Sequence, residues 1–265
     1  MAGSDLAALL AGRIAARAAE RTQIVVGLTG PQGSGKTTIA GELPGLLGAR
    51  GLRAAVLALD DLYLPKVDRQ RLAAEVHPLF ATRGVPGTHD IGLGLEVLEG
   101  LQQGAPTRVP SFDKAVDDRR APDAWAVMAD PVDVIVFEGW CVGARPQSPE
   151  ELVQPVNDLE RERDPDATWR RHSNQVLAGD YQRLFGRIDL QILMLPPNFD
   201  VVLAWRLQQE RELRARTGLG QTDAGIADFV QHYQRLTRHI AAEMPSRADV
   251  VVRLGEGREV LGFQG

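Results

Sequence analysis

The sequence contains very little cysteine, and this and other absences limit the kinds of protein it can encode. Cys141 is the only cysteine among 265 residues. A single cysteine cannot form an internal disulfide, which is typical of a reducing compartment. No apolar run approaches the roughly 20 residues needed to cross a bilayer, and residues 1–20 lack a basic-then-apolar export signal. We therefore expect a soluble cytoplasmic protein with no membrane partner.

Lysine is also scarce, and acidic residues outnumber basic ones by 35 to 30. The formal net charge is −5, and an acidic protein is poorly suited to bind nucleic acid. We therefore expect no nucleic-acid partner, while the choice between monomer and homodimer stays open. Of the 30 basic residues, only Lys36, Lys66 and Lys114 are lysines. Because lysine and arginine differ in geometry and hydration, each of these lysines is a candidate functional group.

The most informative stretch is residues 24–38, IVVGLTGPQGSGKTT. Residues 30–37 of this stretch fit the phosphate-loop pattern G-x-x-x-x-G-K-[ST]. A strand-like run precedes this motif, and a helix-compatible stretch follows it. Glycines let backbone N–H groups approach phosphate oxygens at the N-terminus of a helix. Lys36 is suited to the β- and γ-phosphates and the Thr37 hydroxyl to Mg²⁺. The predicted ATP-binding residues are Gly30, Gly33, Ser34, Gly35, Lys36, Thr37 and Thr38.

Strands and helices are expected to alternate along a single domain spanning residues 1–265. Five strand-like runs lie at 24–28, 54–59, 132–137, 190–195 and 250–254. Helical patterns lie at 4–20, 36–50, 92–101, 169–185, 200–215 and 226–242. This order predicts an α/β fold with a mostly parallel five-stranded sheet and helices on both faces. The proline-rich segment 63–129, between the second and third strands, is the predicted acceptor-binding insertion, with a short strand expected within 107–112.

Acidic residues follow two of these strands. Asp60 and Asp61 end the second predicted strand, and Glu138 ends the third. The carboxyl ends of parallel strands share one edge of a sheet, where α/β proteins bind ligands. Thr37, Glu138 and Asp60 are therefore the predicted Mg²⁺ ligands, directly or through water. Asp60 is the candidate general base, with Asp61 as the alternative; neighbouring side chains of a strand point to opposite faces, so only one should face the phosphate.

Further candidates lie in the insertion and near the C-terminal end of the chain. The predicted acceptor-binding residues are Asp61, Tyr63, Lys66, His89, Asp90 and Lys114. Segment 206–225 is rich in arginine and glycine and is predicted to be a lid, in which Arg206 and Arg214 contact the transferred phosphate and contribute to catalysis together with Lys36 and Asp60. The alternative is a surface helix in which arginines form salt bridges with Glu210 and Glu212.

Several motifs together resemble the P-loop kinases that include uridine kinase, phosphoribulokinase and pantothenate kinase, and most of all the plant- and fungal-type D-glycerate 3-kinases. Besides the phosphate loop, they include residues 60–63, 83–84, 87–90, 110–114, 136–140, 205–208 with Glu210 and Arg214, and 228–230 with Tyr233. The resemblance implies Mg-ATP as donor, a small hydroxylated acceptor and Asp60 as base. It places Arg206 and Arg214, but not Arg211, at lid positions. The chain departs from the eukaryotic pattern at Phe112, where tyrosine is common, and at Asp117-Asp118.

We therefore predict ATP-dependent phosphorylation of D-glycerate. The carboxylate of this acceptor requires cations or N–H donors, and the insertion can supply Lys66, Arg83, Lys114 and Arg119. The insertion offers few aromatic side chains and no asparagine to recognise a nucleobase, which favours a small acid. Alternatives are a kinase for pantothenate, uridine or a sugar phosphate, and a nucleotide-binding regulatory ATPase. A guanine-specific switch is disfavoured because no Asn-Lys-x-Asp string occurs.

Overall fold

A six-stranded sheet forms the centre of the protein. The structure is a computed structural model that describes residues 3–218 and 220–265. The strands are β1 (Ile24–Thr29), β2 (Ala54–Ala58), β3 (Thr107–Val109), β4 (Phe112–Asp113), β5 (Asp118–Arg119), β6 (Ala126–Met128), β7 (Val134–Gly139), β8 (Leu190–Leu195), β9 (Val250–Leu254) and β10 (Val260–Gln264). The order in the main sheet is β10-β9-β8-β1-β7-β2. Five of these strands are parallel, and β10 pairs antiparallel with β9.

Helices cover both faces of this sheet. They are α1 (Gly3–Ala18), α2 (Lys36–Gly48), α3 (Lys66–Glu75), α4 (Ile91–Gln103), α5 (Asp158–Arg163), α6 (Thr168–Ala178), α7 (Asp180–Phe185), α8 (Asp200–Thr217) and α9 (Asp223–Glu243). β1 is buried along its whole length, and its side chains alternate between two cores. Ile24 and Val26 pack with α1 and α2 on one face, whereas Val25 packs with α4, α7 and α9 on the other.

The predicted α/β fold, with a mostly parallel sheet and helices on both faces, is confirmed. The five predicted strands all lie in the main sheet, but the sequence analysis missed the antiparallel edge strand β10. It also predicted one helix over 169–185, which was wrong. The structure has two helices there, α6 and α7, with a break at Gly179.

The insertion between β2 and β7 has more regular structure than its sequence suggested. It contains α3 and α4 and two small antiparallel sheets, β3 with β6 and β4 with β5. The predicted short strand at 107–112 is in fact two strands, β3 and β4. None of the helices in the described residues combines the length and the apolar character that a membrane span requires.

Candidate active site

The loop between β1 and α2 is shaped to hold an anion. Gly33 and Gly35 have φ angles of 79° and 88°, in the left-handed region that favours glycine. α2 begins at Lys36, directly after the loop. The first N–H groups of a helix have no acceptor within the helix and carry partial positive charge. These N–H groups and the Lys36 ammonium therefore suit phosphate oxygens.

Close packing in this loop explains another of its glycines. A Cβ atom at Gly30 would lie 2.7 Å from Ser34 Oγ and 3.0 Å from Met194 Cβ. Any side chain at position 30 would therefore push the loop away from β8. Gly30 and Ser34 thus pack the loop against β8. Gly33, Gly35 and residues 36–38 line the cavity in front of the loop.

The carboxylate of Glu138 faces the start of α2. β7 pairs in parallel with β1, with Glu138 beside Leu28, so the end of β7 lies next to the phosphate loop. Thr37 Oγ1 donates a hydrogen bond to Glu138 Oε1 at 3.0 Å. Burial raises the pKa of Glu138, and the Lys36 ammonium opposes this effect. A hydroxyl and a carboxylate placed in this way are suitable ligands for Mg²⁺.

A cavity of about 270 Å³ opens in front of the phosphate loop. Residues of the loop and of α2 form one side of it. The other side chains of its wall are Asp60, Tyr63, Arg83, Lys114, Trp140, Arg206, Gln209, Phe229 and Tyr233. The fold therefore brings the predicted residues Lys36, Thr37, Asp60, Lys114 and Arg206 together around one space.

Asp60 lies in a turn rather than in a strand. β2 ends at Ala58, and Leu59–Leu62 form one turn of 3₁₀ helix that carries both acids. Asp60 Oδ1 accepts a hydrogen bond from Tyr63 Oη at 3.0 Å, and Oδ2 pairs with Lys114 Nζ at 2.6 Å. Burial disfavours the charged carboxylate, but the Lys114 and Lys36 ammonium groups outweigh it and hold the pKa of Asp60 well below its usual range.

Asp61 is engaged elsewhere. Its Oδ1 accepts a hydrogen bond from the backbone N–H of Phe112 at 2.9 Å, and burial raises its pKa. Among the described residues, the cavity wall includes Asp60 and not Asp61. The strand alternation used to separate the two acids was wrong, because both lie in the 3₁₀ turn. The choice of Asp60 as base stays a prediction.

Two cations of the insertion line the same cavity as the phosphate loop. Lys114 pairs with Asp60, as described above, and Arg83 forms an ion pair with Asp117. Asp117 also pairs with the fully buried Arg69 at 2.9 Å. The guanidinium of Arg83 lies 5.7 Å from the ring centroid of Phe112. Asp117 thus holds Arg83 in place at the cavity wall.

Besides Asp61, three residues predicted to bind the acceptor do not line the cavity. Lys66 begins α3, and its backbone N–H donates to Asp118 Oδ1 at 2.9 Å. Asp90 caps α4 by accepting from the N–H of Leu93, and it pairs with Arg119 at 3.0 Å. The geometry gives both residues structural contacts in this conformation.

The third of these residues, His89, is buried behind Tyr63. Its Nδ1 lies 2.6 Å from Tyr181 Oη, and its ring stacks on Tyr63 with centroids 4.6 Å apart. Burial lowers the pKa of His89 to about 3, so the imidazole is neutral near pH 7. His89 therefore supports the tyrosine that donates to Asp60.

The predicted lid corresponds to the hairpin of α8 and α9. Arg206 lines the cavity and pairs with Glu210 at 2.7 Å. Arg214 pairs with Asp223 at 2.5 Å, as does Arg211 at 2.6 Å, which holds both arginines against the start of α9. Of the predicted lid, 206–225, position 219 lies outside the described residues.

Several residues of the cavity wall were not among the predicted site residues. Trp140 directly follows the strand that carries Glu138, and its Nε1 donates to Gly84 O at 2.9 Å. Phe229 and Tyr233 lie four residues apart on α9 and so face the same side. Tyr233 Oη donates to Arg83 O at 3.1 Å. An aromatic pair at helical spacing is also what a core predicts, so the sequence signal was ambiguous.

Comparisons with known proteins give a consistent result. No family model matches the chain. It is 33% identical over 225 residues to the uncharacterized kinase mug58 of Schizosaccharomyces pombe, covering 81% of this chain and 79% of that protein. It is 30% identical over 240 residues to the chloroplastic D-glycerate 3-kinase of Arabidopsis thaliana, covering 85% of this chain but only 50% of that longer protein. D-glycerate 3-kinase from Cryptococcus neoformans has a similar structure, with a TM-score of 0.83, 28% identity and 98% of each chain covered.

A parallel sheet with a phosphate loop after its first strand and acids at the same edge defines a P-loop nucleotide-binding protein. Together with the relatives, this shows an ATP-dependent kinase that acts on a small molecule. The chain belongs to the D-glycerate 3-kinase family of P-loop kinases. The chloroplast location belongs to the Arabidopsis relative, and the cytoplasmic location expected here stays a prediction.

Proposed function

We propose that this kinase transfers the γ-phosphoryl group of ATP to a hydroxyl of D-glycerate. The observation that carries the proposal is the charge pattern of the cavity. Lys114 pairs with Asp60, and both line the same cavity as Arg83, Lys36 and the phosphate loop. A small acceptor with both a carboxylate and a hydroxyl matches this pattern, because its carboxylate can pair with the cations while its hydroxyl faces Asp60. Two relatives are named D-glycerate 3-kinase.

The donor half of the site is formed by the phosphate loop and α2. We assign the triphosphate to the N–H groups and side chains of residues 30–38, with Lys36 at the β- and γ-phosphates. Thr37 and Glu138 would hold Mg²⁺, with Asp60 as a further ligand, directly or through water. When bound, the metal neutralises charge on the phosphate oxygens.

The acceptor hydroxyl would be activated by Asp60. Its oxygen forms a bond to the γ-phosphorus as the bond from that phosphorus to the β–γ bridging oxygen breaks. The electron pair of the broken bond leaves with ADP, and the hydroxyl proton passes to the Asp60 carboxylate. Tyr63 Oη donates to Asp60 at 3.0 Å and so orients this carboxylate. For proton transfer, the acceptor hydroxyl has to form a hydrogen bond with the Asp60 carboxylate, whose Oδ2 is paired with Lys114 Nζ in this structure.

Arginines supply charge on the other side of the transferred group. Arg206 already lines the cavity, and its guanidinium can stabilise the equatorial oxygens of the phosphoryl group. Arg214 is held by Asp223 in this structure. A catalytic role for Arg214 therefore requires this ion pair to open when the hairpin of α8 and α9 closes over the nucleotide, as lids do.

The test is an ADP-release assay with purified protein, ATP and Mg²⁺. D-glycerate, pantothenate, uridine and ribulose 5-phosphate are supplied separately, with a no-acceptor control. We expect release with D-glycerate alone to exceed the control by orders of magnitude, with phosphoglycerate as product by ³¹P NMR. Greater release with another acceptor would assign the site to that acceptor. Release that is equal with and without every acceptor would instead identify a regulatory ATPase.

A further inference from the structure

The hairpin joining β9 and β10 carries an arginine in an unusual conformation. Arg258 has a φ of 68°, one of three described residues other than glycine in the left-handed region. Such a conformation disfavours side chains with a Cβ, so neighbouring contacts have to hold it. The turn is closed by hydrogen bonds from Arg258 N to Gly255 O at 3.0 Å and from Gly255 N to Glu259 O at 2.8 Å.

The side chain of Arg258 joins two parts of the active site. Its Nε donates to the carbonyl of Gly33, in the phosphate loop, at 2.6 Å. Its Nη1 donates to Gln208 Oε1 at 3.0 Å and its Nη2 to Trp205 O at 3.4 Å, both on α8. The guanidinium also lies over the Trp205 ring, 5.4 Å from the centroid. One planar group thus bridges the phosphate loop and the lid helix.

Trp205 completes the junction from the other side. Its Nε1 donates to Glu256 O, in the hairpin, at 2.6 Å. Its Cβ lies so close to the phosphate loop that a Cβ atom at Gly33 would be 2.6 Å away. The phosphate loop, α8 and the hairpin therefore meet at Trp205 and Arg258. The next residue along α8 is Arg206, whose side chain reaches the cavity.

We propose that Arg258 is a positioning residue for phosphoryl transfer, because it fixes α8, and with it Arg206, relative to the phosphate loop. This inference rests on the role proposed above for Arg206. Arg258 bonds acceptors on two separate elements through three different nitrogens. A lysine offers one point charge and cannot reproduce this planar fork. The hairpin that carries Arg258 thus acts in catalysis without touching the reacting atoms.

The test is a double-mutant cycle on Arg258 and Arg206. Kinetics with ATP and saturating D-glycerate are compared for wild type, Arg258→Lys, Arg206→Ala and the double variant. We expect Arg258→Lys to lower kcat by about 10- to 100-fold, the cost of misplacing a catalytic group by roughly 1 Å, with a much smaller change in KM for ATP. In the Arg206→Ala background the same substitution should lower kcat by no more than about threefold, because coupled effects do not add.

Controls separate positioning from simple loss of stability. Arg253→Ala removes an exposed arginine from β9 of the same hairpin, and we expect it to keep wild-type kcat. Circular dichroism sets a temperature at which all variants are folded. Arg258→Ala is the harsher variant; if it does not fold, Arg258→Lys alone decides the question.

Three results would overturn the proposal. The first is that Arg258→Lys lowers kcat by the same factor in the wild-type and Arg206→Ala backgrounds. The second is that Arg258→Lys changes only KM for ATP. The third is that Arg206→Ala has the kcat of wild type. If the proposed acceptor is wrong, the wild type shows no glycerate-dependent turnover. The cycle is then measured with the acceptor found in the screen, so the two failures remain distinct.

Discussion

Replacing Lys114 by methionine should change both the basicity of Asp60 and the affinity for the acceptor. The Lys114 ammonium lies 2.6 Å from Asp60 Oδ2, and it is a main reason for the low pKa of that carboxyl. An adjacent opposite charge lowers a carboxyl pKa by about 1–3 units. The Lys114 side chain is 60% exposed, so water screens the pair and we expect the lower end of this range.

The sign of the effect on activity follows from the role of the base. A general base acts only when ionised, so activity falls as the pH drops through its pKa. Removing the ammonium group raises the pKa of Asp60. The acid limb of the kcat profile should therefore move by about one unit toward higher pH. Loss of a charge-assisted hydrogen bond to the acceptor, about 1.5–3 kcal/mol, should also raise KM for D-glycerate by roughly 10- to 100-fold.

The assay measures ADP release across a pH series at saturating ATP for wild type and Lys114→Met. Arg120→Met is the matched control, because Arg120 is an exposed cation of the same insertion that pairs with Asp113 at 2.9 Å, away from the cavity. We expect this control to match wild type. An unshifted acid limb together with an unchanged KM for D-glycerate in Lys114→Met would refute the reasoning.

Three further predictions concern the donor site and the base. Asp60→Asn should lower kcat by about 10²–10⁴-fold with nearly unchanged ATP affinity, the range for a positioned base; normal turnover with the true acceptor would reject Asp60 as base. Lys36→Ala should weaken ATP binding, measured by calorimetry, and turnover together, and unchanged ATP affinity would contradict this. Gly33→Ala should raise KM for ATP and lower Tm, because its Cβ would lie 2.6 Å from Trp205 Cβ at a φ of 79°. Gly41→Ala, where a Cβ meets nothing within 4 Å, should keep wild-type KM and Tm, and equal effects from both would reject the argument from packing.

The donor side of the site was predictable because its chemistry is local in sequence. The phosphate loop, its glycines and its lysine lie within nine residues, and the flanking strand and helix have clear apolar patterns. Glu138 was found because it follows a continuous apolar run that forms β7. Such features depend on neighbours along the chain, which a sequence shows directly.

The acceptor side was less predictable because it depends on contacts between distant segments. α3 has Arg69 as its buried residue, so it lacks the apolar periodicity that signals a helix. The 3₁₀ turn of Asp60 follows an apolar run and looks like its continuation. β10 has a glycine at position 262 and no buried side chain, so its pairing with β9 rather than an apolar pattern decides its structure. No local pattern shows that Arg258 reaches Gly33, which lies 225 positions earlier in the chain.

The insertion between β2 and β7 is tied both to the turn that carries Asp60 and to the rest of the protein. The Asp61 carboxylate accepts a hydrogen bond from the backbone N–H of Phe112, and the Asp118 carboxylate accepts one from the backbone N–H of Lys66. The Arg119 guanidinium donates to Tyr63 O at 2.9 Å. The same segment also bonds outside itself, since Trp140 Nε1 donates to Gly84 O at 2.9 Å and His89 Nδ1 lies 2.6 Å from Tyr181 Oη, while α4 packs into the main core. Exchange of the whole insertion would therefore disturb the core, so single substitutions at its cavity-facing side chains, such as Lys114 and Arg83, are the structurally conservative route to a different acceptor.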